Sequence, residues 1–65
     1  MKEYQKRVVA EKRELAEKIE KLIAFYNDPN GGGTVSEEQL RLLKMQEQAM
    51  LQYLTILEAR IGTFE

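Results

Sequence analysis

Cysteine and histidine are both absent from this 65-residue chain, and it holds one proline. Without cysteine there is no disulfide and no thiolate nucleophile, and without histidine there is no imidazole base. The two absences together remove zinc sites of the usual kinds. No metal or cofactor is therefore expected. The glutamates read as helix-surface residues with no concave, desolvated site around them to perturb their pKa, and Ser36 is better explained as a helix cap than as a nucleophile. An enzyme is not expected. Long apolar runs are lacking too, so nothing approaches the roughly 20 residues that span a bilayer. No signal peptide precedes the first helix, and a cytoplasmic location is the default.

Net charge is nearly absent, at −1, but it is unevenly spread. Residues 1–27 carry seven Lys/Arg against five Glu, whereas residues 28–65 carry three basic against six acidic residues. A long nucleic acid needs a stronger basic field than this, while a small anion does not. With 43% hydrophobic residues and so little net charge, the chain has the composition of a folded domain rather than a disordered one.

What is there begins in the middle. Every strong helix breaker except Gly62 lies in Asn27-Asp28-Pro29-Asn30-Gly31-Gly32-Gly33-Thr34-Val35-Ser36. Pro29 lacks an amide proton and fixes its own φ, and three glycines carry no preference for continuing a helix. Ser36-Glu37-Glu38-Gln39 then reads as a capping box, flanked by Val35 and Leu40 at hydrophobic-staple spacing. The stretch lacks the Lys-Ser/Thr of a phosphate-binding P-loop and follows a helix rather than a strand, so it reads as a connector. The expectation is an all-α, single-domain antiparallel hairpin: helix 2–26, loop 27–36, helix 37–61. Gly62 is a candidate C′ residue, with Phe64 folding back beyond it.

Leu15, Ile19, Leu22 and Tyr26 share one face of the first helix, and Val8 extends it with Lys12 as an interruption. In the second helix Leu40, Leu43, Glu47, Met50, Leu54, Leu57 and Ile61, then Phe64, form a heptad seam with one charged interruption. With the loop so placed, Glu47 falls opposite Lys18 and Ile19, and Lys12 near Met50 and Leu54. Glu47 is expected to pair with a cation, Lys18 first. A second stripe on helix 2 holds Leu42, Ala49, Tyr53 and Ile56, with Met45 and Leu51 nearby. One partner helix cannot cover both stripes. A surface of this kind marks an interface, so the hairpin is expected to assemble into a helical homo-oligomer.

At the open end of the hairpin, antiparallel pairing brings Tyr4 near Ile61 and the first turn of helix 1 beside Arg60 and Thr63. Lys2, Lys6, Arg7 and Arg60 surround an aromatic ring there, together with the positive end of the helix 1 dipole. A ring for stacking, several cations and a helix N-terminus suit a small phosphorylated ligand that carries a base. The plain alternative is that Tyr4 packs at the hairpin end while the cations are simply solvated.

The run Tyr4-Gln5-Lys6-Arg7-Val8-Val9-Ala10-Glu11-Lys12-Arg13-Glu14-Leu15, then Lys18-Ile19-Glu20-Lys21-Leu22 and Phe25, resembles a family of very small phage proteins. Gln46, Gln48, Met50, Tyr53, Leu57, Arg60 and Ile61 fit that family's second half in order. The family includes the phage anti-CBASS cyclic-oligonucleotide sponges, helical proteins that assemble into hexamers and sequester the cyclic nucleotides of bacterial immune signalling without cleaving them. The resemblance implies that Tyr4 stacks on a base of a cyclic dinucleotide. It implies that a helix 1 lysine of a neighbouring subunit, Lys18 or Lys21, meets a phosphate, and that Arg60 serves a separate cyclic trinucleotide site. The Gly-triplet departs from the family's bulkier interhelix segment. Two other functions suit the residues: a structural or adaptor hairpin that docks on a partner protein, and a small nucleic-acid-binding regulator using the basic half of helix 1.

The second stripe on helix 2 makes assembly testable. Light scattering at micromolar concentration is expected to give a mass above the 7.6 kDa of one chain. Ile56→Asp is expected to lower that mass, because an unpaired charge in an apolar interface is costly.

Overall fold

The computed structural model describes residues 1–28 and 35–65. They form two α-helices, α1 (Glu3–Asn27) and α2 (Glu37–Ile61), packed along their length into an antiparallel hairpin about 46 Å long. Among the described residues there is no strand. The expected all-α hairpin is thus the observed fold. Positions 29–34, with Pro29 and the three successive glycines, lie outside the described residues.

Each helix end has a local cause. The amide of Lys2, which precedes α1, donates to the Gln5 side-chain oxygen at 2.9 Å. This is the half of a capping box in which a Gln at the third helical position reaches back. At the far end Asp28 turns extended (φ −74°, ψ 120°), as the residue before a proline is driven to do. Its amide closes the last turn on the Phe25 carbonyl at 3.3 Å. Ser36 starts α2, its hydroxyl accepting the Gln39 amide at 3.1 Å.

The core is one line of contact. Val8, Leu15, Ile19 and Leu57 are buried, and Ile23, Met50, Leu54, Ile61 and Phe64 pack against them. All the partly buried or buried side chains of α2 belong to the heptad seam read from the sequence. The second stripe is in water: Leu42, Met45, Tyr53 and Ile56 are each more than two-fifths exposed.

Two expectations are corrected. Gly62 is the C-cap of α2, in the right-handed region (φ −63°, ψ −17°), rather than the C′ residue beyond the cap. The chain end tightens instead through Thr63 N–H to the Arg60 carbonyl (3.0 Å) and Phe64 N–H to that of Ile61 (3.1 Å). These three-residue bonds satisfy the last carbonyls of α2 and still return Phe64 to the core. The second correction concerns Glu47. Its carboxylate accepts from the Tyr26 hydroxyl at 2.9 and 3.0 Å, and among the described residues it has no ion pair with Lys18. Lys12 reaches Glu58 at 3.8 Å, beyond the Met50–Leu54 level where it was expected. Helical side chains lean toward their own N-terminus. In an antiparallel pair α1 side chains therefore lean away from the loop and α2 side chains toward it. These two contacts accordingly join an α1 residue to an α2 residue farther from the loop.

Leu57 has no exposed surface. Leu57→Ala is expected to cost about 2–5 kcal/mol, seen as a large fall in the urea midpoint. Leu51→Ala, on a residue 43% exposed, is expected to change stability by about 0.5 kcal/mol or less.

Candidate functional site

The open end of the hairpin holds a cavity of about 340 Å³ lined by Lys2, Tyr4 and Gln5 from the start of α1 and by Arg60, Thr63 and Phe64 from the end of α2, with Glu65 at its edge. The seam creates it. Because α1 lies against α2 to the last turn, the start of one helix faces the end of the other, and their side chains enclose space that neither encloses alone.

Tyr4 is fixed on two sides. Its ring meets Phe64 edge-to-face, with centroids 5.7 Å apart and planes at 79°. This arrangement sets an edge of one ring against the face of the other and adds about 0.5–1.5 kcal/mol beyond burial. Its oxygen accepts from the Gln5 side-chain amide at 3.5 Å, a long bond. Gln5 is 3% exposed, and its other end carries the Lys2 amide. One buried side chain therefore ties the first turn of α1 to the orientation of the phenol. Tyr4 itself stays 48% exposed, so much of it remains open to a ligand. On the other wall the Thr63 hydroxyl donates to the Arg60 carbonyl at 2.6 Å, which holds the turn after α2 in place. The wall charges are Lys2 and Arg60 against Glu65, one more positive than negative. The positive end of the α1 dipole also lies here, opposed by the negative end of the α2 dipole that the antiparallel pairing sets beside it.

The structure brings four of the sequence-derived residues, Lys2, Tyr4, Arg60 and Thr63, into this cavity, while Lys6 does not line it. Arg7 is exposed one turn along α1, about 4.5 Å farther up the axis, and does not line it. Lys18 and Lys21 are exposed 14 and 17 residues after Tyr4, hence about 21 and 26 Å away along the helix. Within one chain neither reaches a ligand held at Tyr4. Gln5 and Phe64 are wall residues that the sequence reading did not place in the site. A Gln at the third helical position was the available signal for Gln5.

Away from the cavity, two phenol–carboxylate bonds cross the hairpin. Tyr26 donates to Glu47, and Lys44 lies 6.0 Å from the centre of the Tyr26 ring. Tyr53 donates to Glu11. In each the bond to the carboxylate is the main cause that raises the phenol pKa above its ordinary value near 10. Burial and the carboxylate charge add to this, and at Tyr53 the charge of Arg60 opposes it. Among the described residues no three Asp or Glu cluster as a metal site would require, and no helix is long and apolar enough to cross a membrane.

Set beside known proteins, the chain matches the family model described as Sequestin over residues 2–63. That is nearly its whole length, so the chain belongs to the Sequestin family, in agreement with the resemblance to phage cyclic-nucleotide sponges. The name speaks of sequestering, a binding role rather than a catalytic one. Neither the curated proteins nor the solved structures contain a match.

The two phenols give a pH dependence of known sign. A phenol pKa that is higher in the folded chain contributes stability that is complete below pH 10 and lost as pH rises through the raised value. Replacing both Tyr26 and Tyr53 by Phe is expected to lower the melting temperature at pH 8. It should also flatten the fall in melting temperature between pH 10 and 12, relative to the unmodified protein measured alongside.

Proposed function

We propose that this member of the Sequestin family captures cyclic dinucleotide messengers without cleaving them, and so withholds them from the effectors of CBASS-type antiviral signalling. The observation that carries the reading is the open-end cavity, where a half-exposed aromatic ring stands beside Lys2 and Arg60. Tyr4 stacks on a base of the dinucleotide, and Lys2 stands beside it for a phosphate. Capture needs no proton shuttle, in keeping with a chain that has neither histidine nor cysteine. Free messenger falls by mass action alone once the protein is abundant and binding is tight.

One hairpin gives a ligand two walls and leaves the rest of its surface in water. The reading therefore includes a homo-oligomer, a hexamer by resemblance, in the cytoplasm of an infected bacterium. Lys18 or Lys21, too far along α1 to serve their own cavity, supply the phosphate contact to that of a neighbouring copy. Arg60, on the opposite wall from Tyr4, serves a cyclic trinucleotide site.

Calorimetry with a panel of cyclic di- and trinucleotides tests this. Binding is expected, with intact ligand recovered by chromatography. Tyr4→Ala is expected to weaken dinucleotide binding by about five- to 150-fold, the range that corresponds to losing a stacking contact of roughly 1–3 kcal/mol. Only one of Lys18→Ala and Lys21→Ala should show a comparable loss. Arg60→Ala should spare dinucleotides and weaken trinucleotides. If no cyclic nucleotide produces heat with the folded protein, the reading fails.

A further inference from the structure

The outer face of α2 carries a pattern beyond being apolar. At 100° per residue, Glu38, Leu42, Met45, Ala49, Tyr53, Ile56 and Arg60 fall within about 80° of one another around the helix, beside the buried seam rather than on it, with Tyr53 at the edge nearest the seam. All are exposed. Their positions are symmetric about Ala49: Met45 and Tyr53 lie four residues to either side, Leu42 and Ile56 seven, Glu38 and Arg60 eleven. Apolar side chains occupy the inner pairs. The outermost pair is one acid and one base.

We infer that this face docks the same face of a second copy, antiparallel and with a twofold axis at Ala49, so that Glu38 of each copy meets Arg60 of the other. The inference specifies the contact for the self-association contained in the reading above. An isologous interface requires that the surface complement itself when turned by 180°, and an antiparallel pairing about Ala49 does so. Leu42 lies on Ile56, Met45 on Tyr53, and the smallest side chain sits where the two backbones come closest. The parallel arrangement would set Glu38 against Glu38 and Arg60 against Arg60, with like charges at both ends. The second copy's Tyr53 ring arrives at the level of Met45, and a sulfur–aromatic contact suits that ring. The Tyr53 hydroxyl is already engaged by Glu11, which leaves the 44% exposed ring presented outward.

The pairing also bears on the cavity. Arg60 is one of its walls. In the antiparallel pair the second copy's first turn of α2 runs alongside that wall. Its Glu38 then occupies part of the Arg60 guanidinium and leaves further N–H groups for a ligand.

Charge reversal tests the register without any nucleotide. Glu38→Lys and Arg60→Glu are each expected to weaken self-association about five- to 30-fold, since two exposed pairs change from attraction to repulsion. Mixing the two variants one to one should restore it as heterodimers, because every contact is then acid to base. A second measurement uses the cysteine-free background. Ala49→Cys is expected to oxidise to a covalent dimer, whereas Leu51→Cys, facing elsewhere, should not. Singles that associate like the unmodified protein, a mixture that stays weak, or an Ala49→Cys chain that fails to cross-link would each overturn the register. Such a failure in a protein that still binds a cyclic nucleotide removes the register alone. A protein that cross-links at position 49 and binds no nucleotide removes the capture reading alone.

Discussion

Two helices meet along one line, and that geometry limits everything else in this chain. A side chain on that line is sealed only if the other helix covers it. Leu57 is sealed completely, in one buried cluster with Val8, Leu15 and Ile19 of α1. Among the described residues no third element extends that coverage. Burial therefore falls off quickly on both sides of the seam, and the rest of the hairpin's order has to come from contacts at its margins.

Those marginal contacts are of a particular kind. Tyr26 with Glu47 and Tyr53 with Glu11 each place an aromatic body against the flank of the seam and end it in a neutral-to-charged hydrogen bond. The Lys12–Glu58 pair at 3.8 Å, more than two-fifths exposed on both sides, adds about 1 kcal/mol or less. At the open end Gln5 does the corresponding work from inside, where a buried amide satisfies a helix-start N–H and steadies Tyr4. The cavity inherits its shape from this arrangement. Its aromatic wall is held by the seam through Phe64, and its cationic wall by the turn that closes α2.

The hairpin was legible because its signals are local and periodic. Breakers concentrate in the middle, Ser36 caps α2, and the seam recurs every three and four residues from Leu40 to Phe64. The meeting of Tyr4 with Arg60 followed from antiparallel pairing alone. What was not legible depends on side-chain direction and length. Glu47 looked like half of an ion pair because position along the axis was counted at the backbone, while its carboxylate reaches toward the loop and finds a phenol. Gln5 looked like one more polar residue on a charged helix. Only the closeness of α2 makes it buried, and no pattern within α1 records that. Gly62 looked like a C′ residue from its type, but it caps α2 in the right-handed region and the turn that follows satisfies the helix end.

The two apolar faces of α2 are written in different periods. The inner seam repeats every seven residues, at 3.5 per turn, while the outer stripe from Glu38 to Arg60 repeats as four-three-four, eleven residues in three turns, or about 3.67 per turn. The first period favours winding α2 left-handed around a neighbour, the second favours the opposite hand. Contacts on the two faces thus twist the helix in opposing senses. With both faces engaged the torques counteract, and α2 acts as a straight strut. With the outer face released, only the coiling tendency toward α1 remains.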